Sequence, residues 1–422
     1  MQKKLLTLAV AGALAAPGAA LAQVEVYGFI SVAVNKFKYS SGEPALGVTT
    51  PSVSKWDVSS HGSNYGVRGR ESLGGGQTAW FQIEQNAPME RSNNVAITPA
   101  SRNTAVGLQG NWGNFFIGQW TTPWSDLESL WSIGSVGGYS PSLSIIGRRE
   151  TTGTAPNPNC QNGHLSGAPA VGGAVICDAV ESAGGIGHPF WRRFSNAVFY
   201  YTPVFGGAQA KFAYMTNEGK ATAGATVTSA DPSAWSASIQ WSGMGGKARV
   251  GAAYDSHKEF TSTGNTDKGW TVKGGYDFGF IDVGLAYETM TYKAAANPVT
   301  GAIGTTDIDA TQYGVALAVP IGQGAIRASY SVAEDLESGG TKANNGAKEI
   351  TIGYDIRLSK RTQVGVGWAQ IKNDNGGTVG GVFIPGAVFT WTGAPPNQGG
   401  ASNTPTPGSD PETFFVSVIH RF

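Results

Sequence analysis

The chain has 422 residues with 61 glycines, 12 Trp, 14 Tyr and 18 Phe, and only 14% of its residues are charged. Glycine at this level works against helices, and aromatic residues favour strands, so a helical protein is not expected. Setting aside residues 1–22, which hold Lys3 and Lys4, leaves 27 basic against 29 acidic residues; that balance argues against a nucleic-acid binder, which would be strongly basic.

Residues 1–22 have the form of a secretory signal peptide. Lys3 and Lys4 give a basic start, residues 5–16 are apolar, and Ala20-Leu21-Ala22 is a small-residue cleavage site. The expected mature chain begins at Gln23. After Ala22 no apolar run is long enough to cross a bilayer as a helix.

The rest of the chain alternates. Val24, Val26, Gly28, Ile30, Val32 and Val34 share one face. Trp235, Ala237, Ile239 and Trp241 oppose Ser236, Ser238 and Gln240. Ala248, Val250, Ala252 and Tyr254 oppose Arg249, Gly251 and Asp255. Trp270 and Val272 oppose Thr271 and Lys273, and Leu285 and Tyr287 oppose Ala286 and Glu288. Ile326 and Tyr330 oppose Arg327 and Ser329, and Ile350, Ile352 and Tyr354 oppose Glu349, Thr351 and Asp355. The closing residues 412–422 put Phe414, Val416, Val418, His420 and Phe422 on one face. A period of two means strands. One face is uncharged and the other carries nearly all the charge.

Tight turns are expected at residues 73–76, 110–113, 203–207, 242–246, 277–280, 320–324 and 358–361. Long Gly, Ser, Asn and Pro-rich segments lie near 40–62, 87–102, 121–190, 216–234, 257–268, 293–309, 335–348 and 372–412. Seven turns and eight loops make fifteen connections and sixteen strands. Alternation alone fits a soluble sandwich as well as a membrane barrel. Three features favour the barrel: short turns alternating with long loops, segments of about 9–11 residues, and aromatic residues at both ends of the apolar faces. The expected fold is an all-β, 16-stranded antiparallel transmembrane β-barrel over residues 23–422, with short periplasmic turns and long extracellular loops. Eight strands pack a barrel shut, whereas sixteen leave an aqueous channel.

Several stretches carry a family resemblance. GSNYGVRGRESLGGGQTAWFQIE, residues 62–84, resembles an S-R-x-G-(L/I)-(R/K)-G-x-E-D-L-G-G-G segment. AVGLQGNWGNFFIGQW, residues 105–120, resembles V-G-L-x-G-x-F-G-x-x-x-x-G-R-Q. RFSNAVFYYTPVFGG, residues 193–207, resembles R-x-x-N-S-(V/I)-x-Y-x-S-P-x-F-G-G, and YDIRLSKRT, residues 354–362, and the closing HRF also match. In order along the chain, these are similar to the trimeric diffusion porins of Gram-negative bacteria. The resemblance implies a homotrimer in the outer membrane, in contact with its lipid and lipopolysaccharide, and a third loop folded inward to narrow the pore. It also implies an arginine cluster facing carboxylates. Arg68 and Arg193 occupy matching positions, with Arg70 one step along the same face. Asp126 matches the acidic start of the inward loop, and Glu128 follows it. Asn64 and Gln119 stand where the family has arginine, which makes the expected constriction less basic than in anion-selective relatives. The expected solutes are ions and small hydrophilic molecules; a channel preferring one organic solute, an aromatic acid or a sugar, is the alternative.

The loop at 121–190 is long for that family. It carries Cys160 and Cys177, the only cysteines. In a secreted chain an even pair reads as a disulfide, here closing roughly 17 residues and worth on the order of 3 kcal/mol; two unpaired thiols are the alternative. The loop either plugs the pore or caps it from outside. No catalytic or cofactor motif appears, and the five histidines lack metal spacing, so neither an enzyme nor a cofactor is expected. An outer-membrane barrel enzyme and an adhesin are the rival classes.

Overall fold

The computed structural model describes residues 23–40, 52–87, 89, 100–133, 145–146, 190, 193–216, 231–259, 264–293, 307–379, 382–385 and 408–422. Residues 1–22, Cys160 and Cys177 lie outside the described residues, and so does most of 121–190. Twenty-one strands, two short α-helices and a 3-10 turn at Met244–Gly246 are formed in these segments. The first six strands are β1 (Gln23–Tyr39), β2 (Val53–Ser60), β3 (Asn64–Gly74), β4 (Gln77–Asn86), β5 (Thr104–Gly110) and β6 (Gly113–Thr121). Helices α1 (Pro123–Asp126) and α2 (Glu128–Trp131) follow. Next come β7 (Arg193–Tyr201), β8 (Ala208–Met215), β9 (Ser233–Gly243), β10 (Ala248–Lys258), β11 (Thr266–Asp277), β12 (Asp282–Tyr292), β13 (Ile308–Ile321) and β14 (Gly324–Ala333). The rest are β15 (Glu337–Ser338), β16 (Thr341–Lys342), β17 (Ala347–Arg357), β18 (Thr362–Asn373), β19 (Gly376–Val379), β20 (Val382–Pro385) and β21 (Pro411–Arg421).

Nineteen of these strands share one sheet. β15 and β16 form a small rim hairpin, and β2 and β3 are two lengths of one wall strand, which leaves sixteen strands around a closed antiparallel cylinder. Closure is made by β1 against β21, from Phe29 opposite Arg421 to Tyr39 opposite Pro411. Gly28 and Phe422 complete the seam by exchanging backbone hydrogen bonds of 3.2 and 3.1 Å.

All seven expected tight turns connect strands, at the end of the barrel opposite the long loops. The expectation of an unbroken loop over 40–62 is corrected: residues 53–60 are strand. β1 pairs with β3 along its first half and with β2 along its second. The chain breaks between them at residues 61–63, where Gly62 takes φ +66. The Ser63 hydroxyl fills the gap by donating to the Ser31 carbonyl and accepting the Ser31 N–H. Trp56 and Val58 carry the alternation that makes β2 a strand; Ser59 and Ser60 close it, and the break itself is confined to residues 61–63.

The two faces of each strand differ as the alternation predicts. Along β21, Val416 and Val418 are 55% and 48% exposed on the outside, whereas Ser417 between them is 1% exposed. Ile239, Val272, Leu285, Ile352 and Val366 continue the apolar outer surface. Aromatic rings border it at both ends. On the loop side Trp235 stands 5.3 Å from Tyr254, and Trp270 stands 5.3 Å from Tyr287. On the turn side Trp112 stacks on Tyr200, and Tyr276, Phe278 and Phe280 cluster. Rings with one apolar and one polar end suit the two membrane–water boundaries.

Candidate functional site

The site begins where β6 ends. Thr122 caps α1, its hydroxyl oxygen accepting the Ser125 N–H at 3.2 Å, and Pro123 sits in the first turn, where a missing N–H costs nothing. These signals turn the chain off the wall and into the lumen. Trp124, Leu127, Leu130 and Trp131 are then buried against the inner faces of β9 to β12. The wall makes room with glycines. A Cβ on Gly284 would lie 1.8 Å from the Trp131 carbonyl oxygen, and one on Gly251 would lie 2.7 Å from Leu130 and 2.8 Å from Leu127. The expected inward fold of this loop is therefore present over 123–133.

Four basic wall residues hold the segment in sequence order. Lys211 reaches Asp126 at 2.9 Å, and Tyr201 and Thr121 donate to the same carboxylate at 3.0 and 2.8 Å. Lys273 reaches Glu128 at 3.1 Å and Glu288 at 3.5 Å, with its own side chain fully buried. Arg249 donates to the Leu130 carbonyl and to Asp282, both at 2.7 Å. Arg327 donates to the Ile133 carbonyl and to Asp355. Charged groups taken out of water are tolerable only when paired and hydrogen-bonded, and each of these is.

A second cluster lies on the neighbouring wall. Arg102 pairs with Glu84 at 2.6 Å and donates to Asn86 at 3.2 Å. Arg193, 7% exposed, donates to Asn103 at 2.6 Å, and Asn103 accepts the Thr121 N–H with the same oxygen. Arg193 and Asp126 are thereby joined through Asn103 and Thr121. Gln119 is taken up by the wall itself. Its amide donates to the carbonyls of Arg102 and Ala100 at 3.1 and 3.4 Å and accepts from Ser195 at 3.1 Å.

Arg68 and Arg70 stand apart from Arg193, toward the turn end, where Arg70 lies opposite Gln23. Arg68 pairs with Glu25 and lies over the Tyr27 ring at 4.6 Å. Tyr27 links this group to the second cluster, since its hydroxyl donates to Glu84 at 3.0 Å. Arg68 and Arg70 border a cavity of about 530 Å³ together with Gln82, Gln109 and Asn114. Sequence reasoning singled out Arg68, Arg70, Gln119, Arg193, Asp126 and Glu128. It did not single out Tyr27, Glu84, Arg102, Lys211, Arg249 or Arg327, and it placed Lys273 on the charged face of its strand without a role at the loop. Arg102 precedes β5; alternation places the other side chains on the inner face, but which of them meets the loop depends on a fold that strand patterning does not encode.

Comparison with known proteins agrees with this architecture. The family described as Gram-negative porin matches residues 7–376. The outer membrane porin protein 32 of Delftia acidovorans is 27% identical over 403 residues, covering 92% of this chain and 95% of the relative. Major outer membrane protein P.IB of Neisseria lactamica is 24% identical, covering 90% of this chain and 96% of the relative. Among solved structures, an anion-selective porin from Comamonas acidovorans superposes with a TM-score of 0.63 at 21% identity, over 95% of this chain and all of that one. OmpT of Vibrio cholerae superposes with a TM-score of 0.55 at 13% identity, over 95% of this chain and 98% of that one. A closed sixteen-stranded wall, an apolar exterior and an ion-paired inward loop thus coincide with a family match over most of the sequence: the chain belongs to the Gram-negative porin family and is a multi-pass outer-membrane channel for passive diffusion.

Proposed function

We propose that the channel admits ions and small hydrophilic solutes with a preference for anions, set by two groups of basic residues on the inner wall. The observation that carries this is the charge balance of two groups on the inner wall, one beside the start of the inward segment and one toward the turns; Arg249, Lys273 and Arg327, which hold the rest of the segment, are matched by Glu128, Asp282, Glu288 and Asp355. Arg102, Arg193 and Lys211 stand against Glu84 and Asp126 on neighbouring stretches of wall. Toward the turn end Arg68 and Arg70 stand against Glu25. Each group holds one more cation than carboxylate. A charge in a narrow low-dielectric mouth concentrates counter-ions well beyond its effect in bulk water. The carboxylates of Asp126 and Glu128 are drawn to Lys211 and Lys273, so they fix the loop and weigh little on a passing cation. The solved anion-selective relative is consistent with the same sign.

Residues 1–22 act as a secretory signal in this reading. The working unit is a homotrimer, and Cys160 and Cys177 form a disulfide within the long loop. The alternatives of an enzyme and an adhesin find no support in the ion-pair network, which anchors a loop rather than arraying a nucleophile and a base. The test is a reversal potential in a salt gradient across a planar bilayer. Arg193→Ala removes a cation from the network and moves the reversal potential toward cation selectivity. An unchanged potential rejects the assignment.

A further inference from the structure

We infer that the turn-end cavity is a binding station for small aromatic carboxylates, in which Trp80 takes the ring and Arg70 takes the carboxylate. The inference rests on the anion preference proposed above and names a solute class for it. Arg70 and Trp80 are directly opposite each other across β3 and β4. Both border the cavity of about 530 Å³, beside Gln82, Gln109 and Asn114. Arg68, the other cation there, is already engaged: it pairs with Glu25 and lies over the Tyr27 ring. Farther round the wall Lys211, Arg249, Lys273 and Arg327 each have a carboxylate partner. Arg70 is exposed, and among the described residues no carboxylate lies within 4 Å of it.

Trp80 is held as a surface for a second ring. Its Nε1–H donates to Asn114 at 2.9 Å, which fixes the indole's rotation. A glycine stands behind it: a Cβ on Gly107 would lie 2.7 Å from the ring, so the indole packs against bare backbone. Phe116 at 5.3 Å and Trp120 at 5.7 Å meet it at an angle, and Phe116 stacks on Phe199 at 4.7 Å. Phe116 and Phe199 are buried, whereas Trp80 and Trp120 are half-buried. Strand alternation gives a wide barrel a polar inner face, and keeping that face wet calls for no such cluster. An indole offers offset or edge contact to another aromatic ring. A guanidinium fork binds a carboxylate through two parallel hydrogen bonds. Cross-strand neighbours have Cβ atoms about 5 Å apart, close enough for one small solute to meet both groups. An inorganic anion uses the arginine alone and a neutral ring uses the indole alone; a solute carrying both gains from both.

The experiment uses the full chain in a planar bilayer at neutral pH, read by block of the single-channel chloride current. The probes are benzoate, cyclohexanecarboxylate and benzyl alcohol. The second has the charge and nearly the size of benzoate without the aromatic face; the third has the ring without the charge. Benzoate blocks the wild type at a concentration roughly fivefold below that needed with cyclohexanecarboxylate, and benzyl alcohol does not block. Trp80→Leu brings the two acids level, whereas Trp80→Phe keeps most of the difference. Arg70→Gln weakens both acids roughly tenfold and keeps their ratio. Equal block of the wild type by the two acids overturns the inference with no variant needed. An unchanged ratio in Trp80→Leu, an unchanged benzoate block in Arg70→Gln, or block by benzyl alcohol matching benzoate overturns it as well. A reversal potential in a salt gradient on the same channels separates the inference from the reading beneath it. Chloride preferred, with no distinction between the acids, removes only the aromatic station; potassium preferred removes the anion preference and the station with it.

Discussion

Two stretches of the inner wall carry basic side chains, and they differ in what faces them. Along β8, β10, β11 and β14, Lys211, Arg249, Lys273 and Arg327 each meet the inward segment, and each also stands near a carboxylate. Along β3, Arg68 and Arg70 border an open cavity, and Arg70 is exposed. The same residue type on the same face of the same sheet does two jobs. Where a loop covers it, the cation is structural and its removal strands a buried partner. Where water covers it, the cation acts on what passes. A charge on the pore wall is therefore not by itself a selectivity residue.

The largest effect tests the covered side. Lys273→Ala leaves Glu128 and Glu288 facing each other without their shared cation, at a cost of about 3–5 kcal/mol. The expected result is a lower unfolding temperature and a noisier single-channel current as the segment loses its tether. Full stability with a quiet current would place Lys273 among the wetting charges. Next in size is a change on the outer face. Val250→Arg puts a charge into the apolar band where Val250 is 45% exposed, costing about 2–4 kcal/mol at mid-membrane, as read by urea unfolding in lipid vesicles. An unaltered unfolding midpoint would mean that the faces are reversed. Gly284→Ala drives a methyl group into the Trp131 carbonyl, an overpacking worth about 1–3 kcal/mol. It is expected to shift the segment and change conductance while ion selectivity holds. The smallest effect belongs to the open side. Arg68→Ala removes one water-exposed charge, worth ~1 kcal/mol or less to an ion passing within a few ångströms, so the reversal potential moves modestly toward cation selectivity with no loss of stability. A loss of stability matching Lys273→Ala would erase the distinction between the two walls.

Much of the fold was legible in the chain. The period of two, the seven turns and the terminal Phe422 each report local geometry, and local geometry is what neighbouring residues determine. β2 escaped because its flanks, rich in Ser and Gly, imitate a loop, although Trp56 and Val58 carry the strand pattern. The site was only half legible. Asp126 was identified by its resemblance to the acidic start of the family's inward loop, and Glu128 because it follows closely. Their partners Lys211 and Lys273 are separated from them by 85 and 145 positions, and no periodicity links residues so distant. Arg68 and Arg193 were grouped by resemblance, yet one lies near the turns and the other at the start of β7, beside the inward segment.

The seam between β1 and β21 has a consequence for how the molecule is made. Its two edges lie almost 400 positions apart, so the cylinder can be sealed only once residues 411–422 have been made. Until then both ends of the growing sheet present unpaired amides and carbonyls, an invitation to aggregate. Biogenesis must therefore keep the export intermediate unassembled during transit and finish with a single zippering event, and loss of residues 411–422 would leave a sheet with no way to become a tube.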